Sequence, residues 1–139
     1  MASNTQAITP RYVQSTGAKI TTAQTDQTGT TATNIVTVYT AKATSAAGST
    51  EGQGALVQDI TIRVPVTSLV AVVAIFKKVG AVRYLLRSVS VSAITVSVSV
   101  PGFDSGKIVL NEFLNQGDTI DVLTTVTQET HATVNVGEY

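Results

Sequence analysis

The residues able to do chemistry in this chain are few and scattered. His131 is the only histidine. Its alternation with Thr133 and Asn135 places it on the polar face of a final strand, where a solvated or hydrogen-bonded imidazole is expected rather than a catalytic base. A serine triad would pair that histidine with a serine on a Gly-x-Ser-x-Gly elbow, and the sequence contains no such elbow. Asp104, Glu112, Asp118 and Asp121 are the one concentration of carboxylates. Calcium could take oxygens from such loops, but the spacing is unlike an EF-hand, so turn capping is the expected role. Gly48, Gly52 and Gly54 are not followed by Lys-Ser/Thr or a helix, which excludes a phosphate loop. Arg83 and Arg87 share a strand face and read as an ordinary solvent face, with a partner's carboxylate patch as the alternative. No enzyme, cofactor or metal site is expected.

Composition narrows the class further. The 139 residues make one domain, large enough for a core without staples. Cysteine is absent, so disulfides, thiol nucleophiles and cysteine-ligated zinc are excluded. Nine basic and nine acidic residues cancel, which argues against nucleic acid or an anionic membrane as partner. Charged residues are only 13% of the chain, so Ser, Thr, Asn and Gln must carry solubility, as suits a surface that meets other protein. The Met-Ala-Ser-Asn-Thr start has no basic region or apolar core, and no secretory signal is expected.

The element that organises the rest is Leu69 to Phe76, eight apolar residues followed by Lys77 and Lys78. The run is too short to cross a bilayer and reads as a strand covered on both faces. Leu69, Ala71, Val73 and Ile75 share one face, and Val70, Val72, Ala74 and Phe76 the other. A second sheet would cover one face. A loop, the N-terminal arm or another subunit would cover the other. The lysines read as gatekeepers that end the run.

Around this strand the pattern predicts an all-β chain, an antiparallel sandwich or jelly roll of about eight short strands. Residues 1–33 form an extended, threonine-rich polar arm and 34–139 the sandwich. Within the arm, Ile8 with Tyr12 and Val13, and Lys19 to Thr22, could add as strands to another sheet. Strands are expected at 35–39, 56–66, 82–87, 108–110, 120–126 and 132–136, with a long loop over 41–54. The run from Ser88 to Val100 alternates with period two but changes phase at Ala93–Ile94, which predicts a break there. Asp104-Ser105-Gly106 supplies turn chemistry.

The second half carries a resemblance. Val100-Pro101-Gly102-Phe103 is followed by Phe113-Leu114-Asn115-Gln116-Gly117-Asp118-Thr119-Ile120-Asp121-Val122 and a short last strand. This resembles small β-sandwich structural proteins of tailed bacteriophages, whose segment before the penultimate strand reads Leu-x-x-Gly-Asp-x-hydrophobic, matched by Leu114, Gly117, Asp118 and Ile120. Trimeric jelly rolls of the tumour-necrosis-factor and complement-C1q type share the local pattern. The resemblance implies a non-enzymatic virion component. It fits a capsid cement or decoration subunit bound to the major capsid protein or another virion protein, with a homotrimer favoured. A tail or neck connector and a carbohydrate-binding sandwich are the alternatives, the last weakened by the absence of tryptophan. The residues expected at the assembly interface are Ile8, Tyr12, Val13 and Ile20 in the arm, and Leu69, Ala71, Val73 and Ile75 in the apolar strand.

Overall fold

A computed structural model of the chain describes residues 12–42 and 54–139. Ile8 and residues 43–53 of the expected long loop lie outside them. The described residues form eight strands: β1 (Tyr12–Ile20), β2 (Val36–Thr40), β3 (Ala55–Val64), β4 (Ala71–Val79), β5 (Val82–Val91), β6 (Phe103–Leu114), β7 (Thr119–Thr124) and β8 (Thr130–Glu138). They build two four-stranded antiparallel sheets packed as a sandwich. The order is β1-β8-β3-β6 in sheet 1 and β2-β7-β4-β5 in sheet 2.

Alternation explains the core. Ala18 and Ile20 of β1, Ile60, Ile62 and Val64 of β3, and Ala132, Val134 and Val136 of β8 project from sheet 1. They meet Val36 and Val38, Val73 and Ile75, and Ile120 and Val122 from sheet 2. Fully burying side chains of this size stabilises the fold by roughly 1.5–3 kcal/mol each. One face of β4 therefore belongs to the intersheet core. On its other face Ala74 and Phe76 join Leu123 in a second buried cluster, against which Ile35 packs.

The cover over that second cluster comes from residues 21–35, most of them in the N-terminal arm, one of the three covers the sequence offered. This segment is held by Gln24 N–H to the Thr124 carbonyl (2.9 Å), Asn34 Nδ2 to the Ala23 carbonyl (3.1 Å) and Gln24 Nε2 to the Thr33 carbonyl (2.6 Å). Gly29 lies against the Phe76 ring with φ +76°, and a Cβ there would come within 2.9 Å of Phe76 Cε1. The preceding residues are also part of the sandwich. β1 pairs along its whole length with β8, from Tyr12 opposite Glu138 to Ile20 opposite Thr130. The expected boundary at residue 34 is thus corrected: the sandwich includes residues 12–33. The physical reason is that threonine-rich, weakly apolar strands suffice at a sheet edge, where one neighbour supplies the ladder.

Two further expectations are corrected, and the expected break holds. The apolar run starts before its strand, since Leu69 and Val70 precede β4, and Lys77 and Lys78 fall inside it. The break near Ala93 exists, with β5 ending at Val91. Ile94 to Val100 forms no strand, only a single bridge to Ser68. Asp104-Ser105-Gly106 is no turn but a register shift inside the twelve-residue β6, with Gly106 at φ +67°. There Asp104 Oδ1 accepts the Gly106 N–H (2.8 Å) and Ser105 Oγ accepts the Ile62 N–H (2.9 Å), so turn chemistry is spent on a bulge.

Candidate assembly surfaces

The eight residues expected at an interface do not share a surface. Tyr12 and Val13 begin β1, opposite Glu138 and Gly137, and Val13 is exposed. Ile20 ends the same strand fully buried. Leu69 is exposed ahead of β4, whereas Ala71, Val73 and Ile75 are sealed between the sheets of one subunit. A contact surface through those three would require opening the core, so the assignment is corrected to intramolecular packing. Ile8 lies outside the described residues.

The polar candidates also take other places. Arg83 is not a solvent-facing cation. Its Nε donates to Asp121 Oδ2 at 2.8 Å, with the two side chains only 11% and 1% exposed, and its Nη1 donates to the Gly29 carbonyl (3.2 Å). Asp121 Oδ1 accepts the hydroxyls of Thr37 (2.9 Å) and Thr119 (2.8 Å). Side chains of three strands, β2, β5 and β7, thus meet around one buried ion pair beneath residues 21–35, with Thr37, Asp121 and Phe76 register neighbours on the outer face of sheet 2. Alternation alone hides this, since Asp121 sits between the core residues Ile120 and Val122 like any outward carboxylate. Asp118 does cap a turn, accepting the Asn115 N–H (3.1 Å), and its carbonyl accepts the Ala41 N–H (2.9 Å). The Leu114-to-Ile120 motif therefore staples the β6–β7 turn to the end of β2. Glu112 pairs with Lys77 (3.6 Å). No group of three metal-ligating side chains converges among the described residues.

On the outer face of sheet 1 the registers set four strands side by side. One row runs Val13, Gly137, Leu56, Phe113, and the ring of Tyr139 sits 6.3 Å from that of Phe113. At the opposite end of the face runs Lys19, His131, Arg63, Asp104. Here His131 Nε2 lies 2.8 Å and Lys19 Nζ 3.2 Å from Glu129 Oε1, and Arg63 Nε donates to Asp104 Oδ2 (3.0 Å). The hydrogen bond from His131, then Lys19, holds the Glu129 carboxyl below the usual range. The Gly106 N–H, then Arg63, does the same for Asp104. His131 is thus the polar-face residue expected, hydrogen-bonded to Glu129.

The sandwich is closed where edge strands β1 and β2 lie together and open where β5 and β6 diverge. A shallow groove of ≈ 440 Å³ separates Ser88, Val89 and Ser90 from Phe103, Ser105 and Ile108. Both edges are interrupted. β6 shifts register twice against β3, with Asn111 at φ +48°, and β5 shifts once against β4. Bulges and the charges of Arg87, Asp104 and Lys107 discourage strand addition along these edges.

Connections 21–35, 65–70, 92–102 and 125–129 gather at one end of the sandwich. Ser68 and Ile94 exchange backbone hydrogen bonds (2.9 and 3.3 Å), Ser68 Oγ donates to the Ser92 carbonyl (2.7 Å), and the Val96 N–H reaches Thr67 Oγ1 (3.2 Å). The Leu69 N–H donates to Gln128 Oε1 (2.8 Å), and the Ala23 N–H to Thr127 Oγ1 (3.2 Å). This end exposes Val66, Leu69, Val70, Val98 and Val100. Loops 65–70 and 92–102 carry no charged or aromatic residue. No protein-family model, curated protein or solved structure matches the chain.

Proposed function

We propose that this chain is a structural subunit of a virion, a cement or decoration protein of a phage shell that works by contact with other protein. The observation that carries the reading is the disposition of its apolar surface. The sandwich completes its own core and still leaves Leu69, Val70, Val98, Val109 and Phe113 among its exposed large apolar side chains, on a chain with only 13% charged residues. Exposed apolar area of this kind marks contact surfaces. The strand order β1-β8-β3-β6 over β2-β7-β4-β5 supports a jelly-roll reading, an architecture used by capsid and lectin domains. The link from fold to virion is analogy, supported by the resemblance of the segment from Leu114 to Ile120.

The test has two parts. Light scattering of the full chain over a wide concentration range is expected to give a defined oligomer, a trimer under the favoured reading. Peptides of the chain are expected to co-sediment with particles purified from its source. A monomer at every concentration, with no peptides in particles, overturns the proposal. Truncation should remove residues 1–11 only, because a cut at residue 30 would take away β1 and the cover over Phe76 along with any arm.

A further inference from the structure

We infer that the free edge of β1 is a strand-pairing surface whose occupant is β1 of a second copy of this chain, laid antiparallel about a two-fold axis at Thr16. The inference rests on the assembly reading above and names one contact within it, so the oligomer it expects is a dimer.

The edge strands of the sandwich are β1 and β6 in sheet 1 and β2 and β5 in sheet 2. Three of them are interrupted. β6 shifts register twice against β3 and β5 once against β4, and β2, only five residues long, shifts between Thr37 and Tyr39. β1 runs nine residues against β8 with no shift and no proline. Its one charge, Lys19, reaches toward Glu129 just ahead of β8 (3.2 Å), away from the open side. A regular edge without such guards is a template for another strand.

Alternation decides which groups that edge offers. In β3 the N–H of core-facing Ile62 points to β6, where Ser105 Oγ accepts it (2.9 Å). The N–H and C=O of one residue point to the same side, and that side reverses with the face of the side chain and with the direction of the strand. Carried across the antiparallel order β3-β8-β1, this turns the groups of inward Thr16, Ala18 and Ile20 toward β8. Those of outward Val13, Ser15, Gly17 and Lys19 turn to the open side. Among the described residues no backbone hydrogen bond reaches them there, since β2 alongside belongs to the other sheet. All four residues are exposed.

The edge also selects its occupant. Unpaired backbone groups at this spacing call for an extended strand, and on a second copy β1 is the one described edge strand that runs without interruption. Laid antiparallel about Thr16, Val13 faces the partner's Lys19 and Ser15 faces the partner's Gly17, each twice, so every outward N–H and C=O of Val13, Ser15, Gly17 and Lys19 is used. The two lysines stand at far ends of the pair and no like charges oppose. At the axis Thr16 meets the partner's Thr16, a favourable cross-strand pair. Such an isologous contact consumes the edge that made it, and assembly through it stops at two copies.

Amide hydrogen exchange of the full chain reads the contact directly. The Ser15 and Gly17 amides are expected to exchange slowly at high protein concentration and fast on dilution, while Thr16 and Ala18, bonded to β8, stay protected throughout. Ser15→Pro removes an outward donor and nothing from the ladder to β8, and is expected to turn the dimer seen by light scattering into a monomer with the urea midpoint unchanged. Because the chain has no cysteine, Ser15→Cys and, on the interrupted β5 edge, Ser90→Cys test proximity without a proline. With a short bismaleimide, Ser15→Cys is expected to give at least tenfold more covalent dimer. Equal cross-linking at both sites, or an oligomer that keeps its mass in Ser15→Pro, overturns the inference while the assembly reading stands. Protection of Ser15 and Gly17 that survives dilution means that the chain covers its own edge, and also overturns it. A parent monomeric at every concentration overturns the inference, and the assembly reading then stands or falls on the purified particles.

Discussion

The two outer faces of the sandwich hold nearly the same interaction under opposite conditions. On sheet 2, Arg83 and Asp121 meet at 2.8 Å beneath residues 21–35, almost without solvent. On sheet 1, Arg63 and Asp104 meet at 3.0 Å with about half of each side chain exposed (51% and 52%). Geometry barely separates them, so burial must. A buried pair has given up its hydration and depends wholly on its partner and on further hydrogen bonds, which Thr37, Thr119 and the Gly29 carbonyl supply. An exposed pair exchanges one set of water contacts for another and contributes little. The covered face teaches that a sequence position reading as a solvent cation can be an internal tie once a neighbouring loop folds over it.

The sharpest way to break the comparison is Asp121→Ala, which leaves the Arg83 guanidinium buried and unpaired. The expected loss is about 3–5 kcal/mol in equilibrium urea unfolding. Adding Arg83→Met in that background should recover part of it, and failure to do so would show that the threonine hydroxyls, not the charges, dominate. Next in size is Gly29→Ala. A Cβ at positive φ costs roughly 1–2 kcal/mol, and the Phe76 ring stands in its way. Faster proteolysis between residues 21 and 35 is the expected sign that the cover has lifted. On the open face, Asp104→Ala should change stability by no more than about 1 kcal/mol, and the difference should shrink at 1 M salt. A loss as large as that of Asp121→Ala would erase the contrast.

The smallest effect is that of acid on the exposed carboxylates. Asp26, through Thr28 and Thr31, Asp104, through Gly106 and Arg63, and Glu129, through His131 and Lys19, all have carboxyls held below the ordinary range when folded. Their contribution is therefore complete above the unfolded range near pH 4 and is lost as pH falls through the lower folded values. A gentle decline of the urea midpoint below about pH 4 is expected, reduced in Glu129→Gln. A midpoint that rises on acidification would contradict the sign.

What could be read from the chain, and what could not, divides along the same physical line. Alternation in Ile60, Ile62 and Val64, and in Ala132, Val134 and Val136, shows which side chains face a core, because a period of two is a local property. Seven of the eight strands follow from such patterns and their turns, down to the phase change at Ala93, whereas β1 lies in the stretch read as an arm. What alternation cannot show is which segment lies over an outer face. The arm is one of three candidate covers, and nothing in Thr21 to Thr33 is apolar enough to single it out. Its role depends on Gly29 meeting Phe76 and on Gln24 reaching Thr124, contacts separated by 47 and 100 positions. The Arg83–Asp121 tie was hidden for the same reason. Ile94 to Val100 misled in the other direction, since a strand pattern needs a neighbour to become a strand and, within one copy, Ser68 alone provides it.

The strand order also sets a timetable. β7 lies between β2 and β4 in one sheet, and β8 between β1 and β3 in the other, so residues 119–138 supply an inner strand to both. As the polypeptide leaves the ribosome, β1 waits for a partner more than a hundred residues away. Before that, only the β4–β5 hairpin and the β3–β6 pair can close. Chains dominated by such distant pairings fold in milliseconds to seconds rather than microseconds, and they expose unpaired edges while they wait. The sandwich is thus expected to form late and nearly all at once. A nascent chain stalled before residue 119 should be a substrate for chaperones, and one released after residue 138 should not.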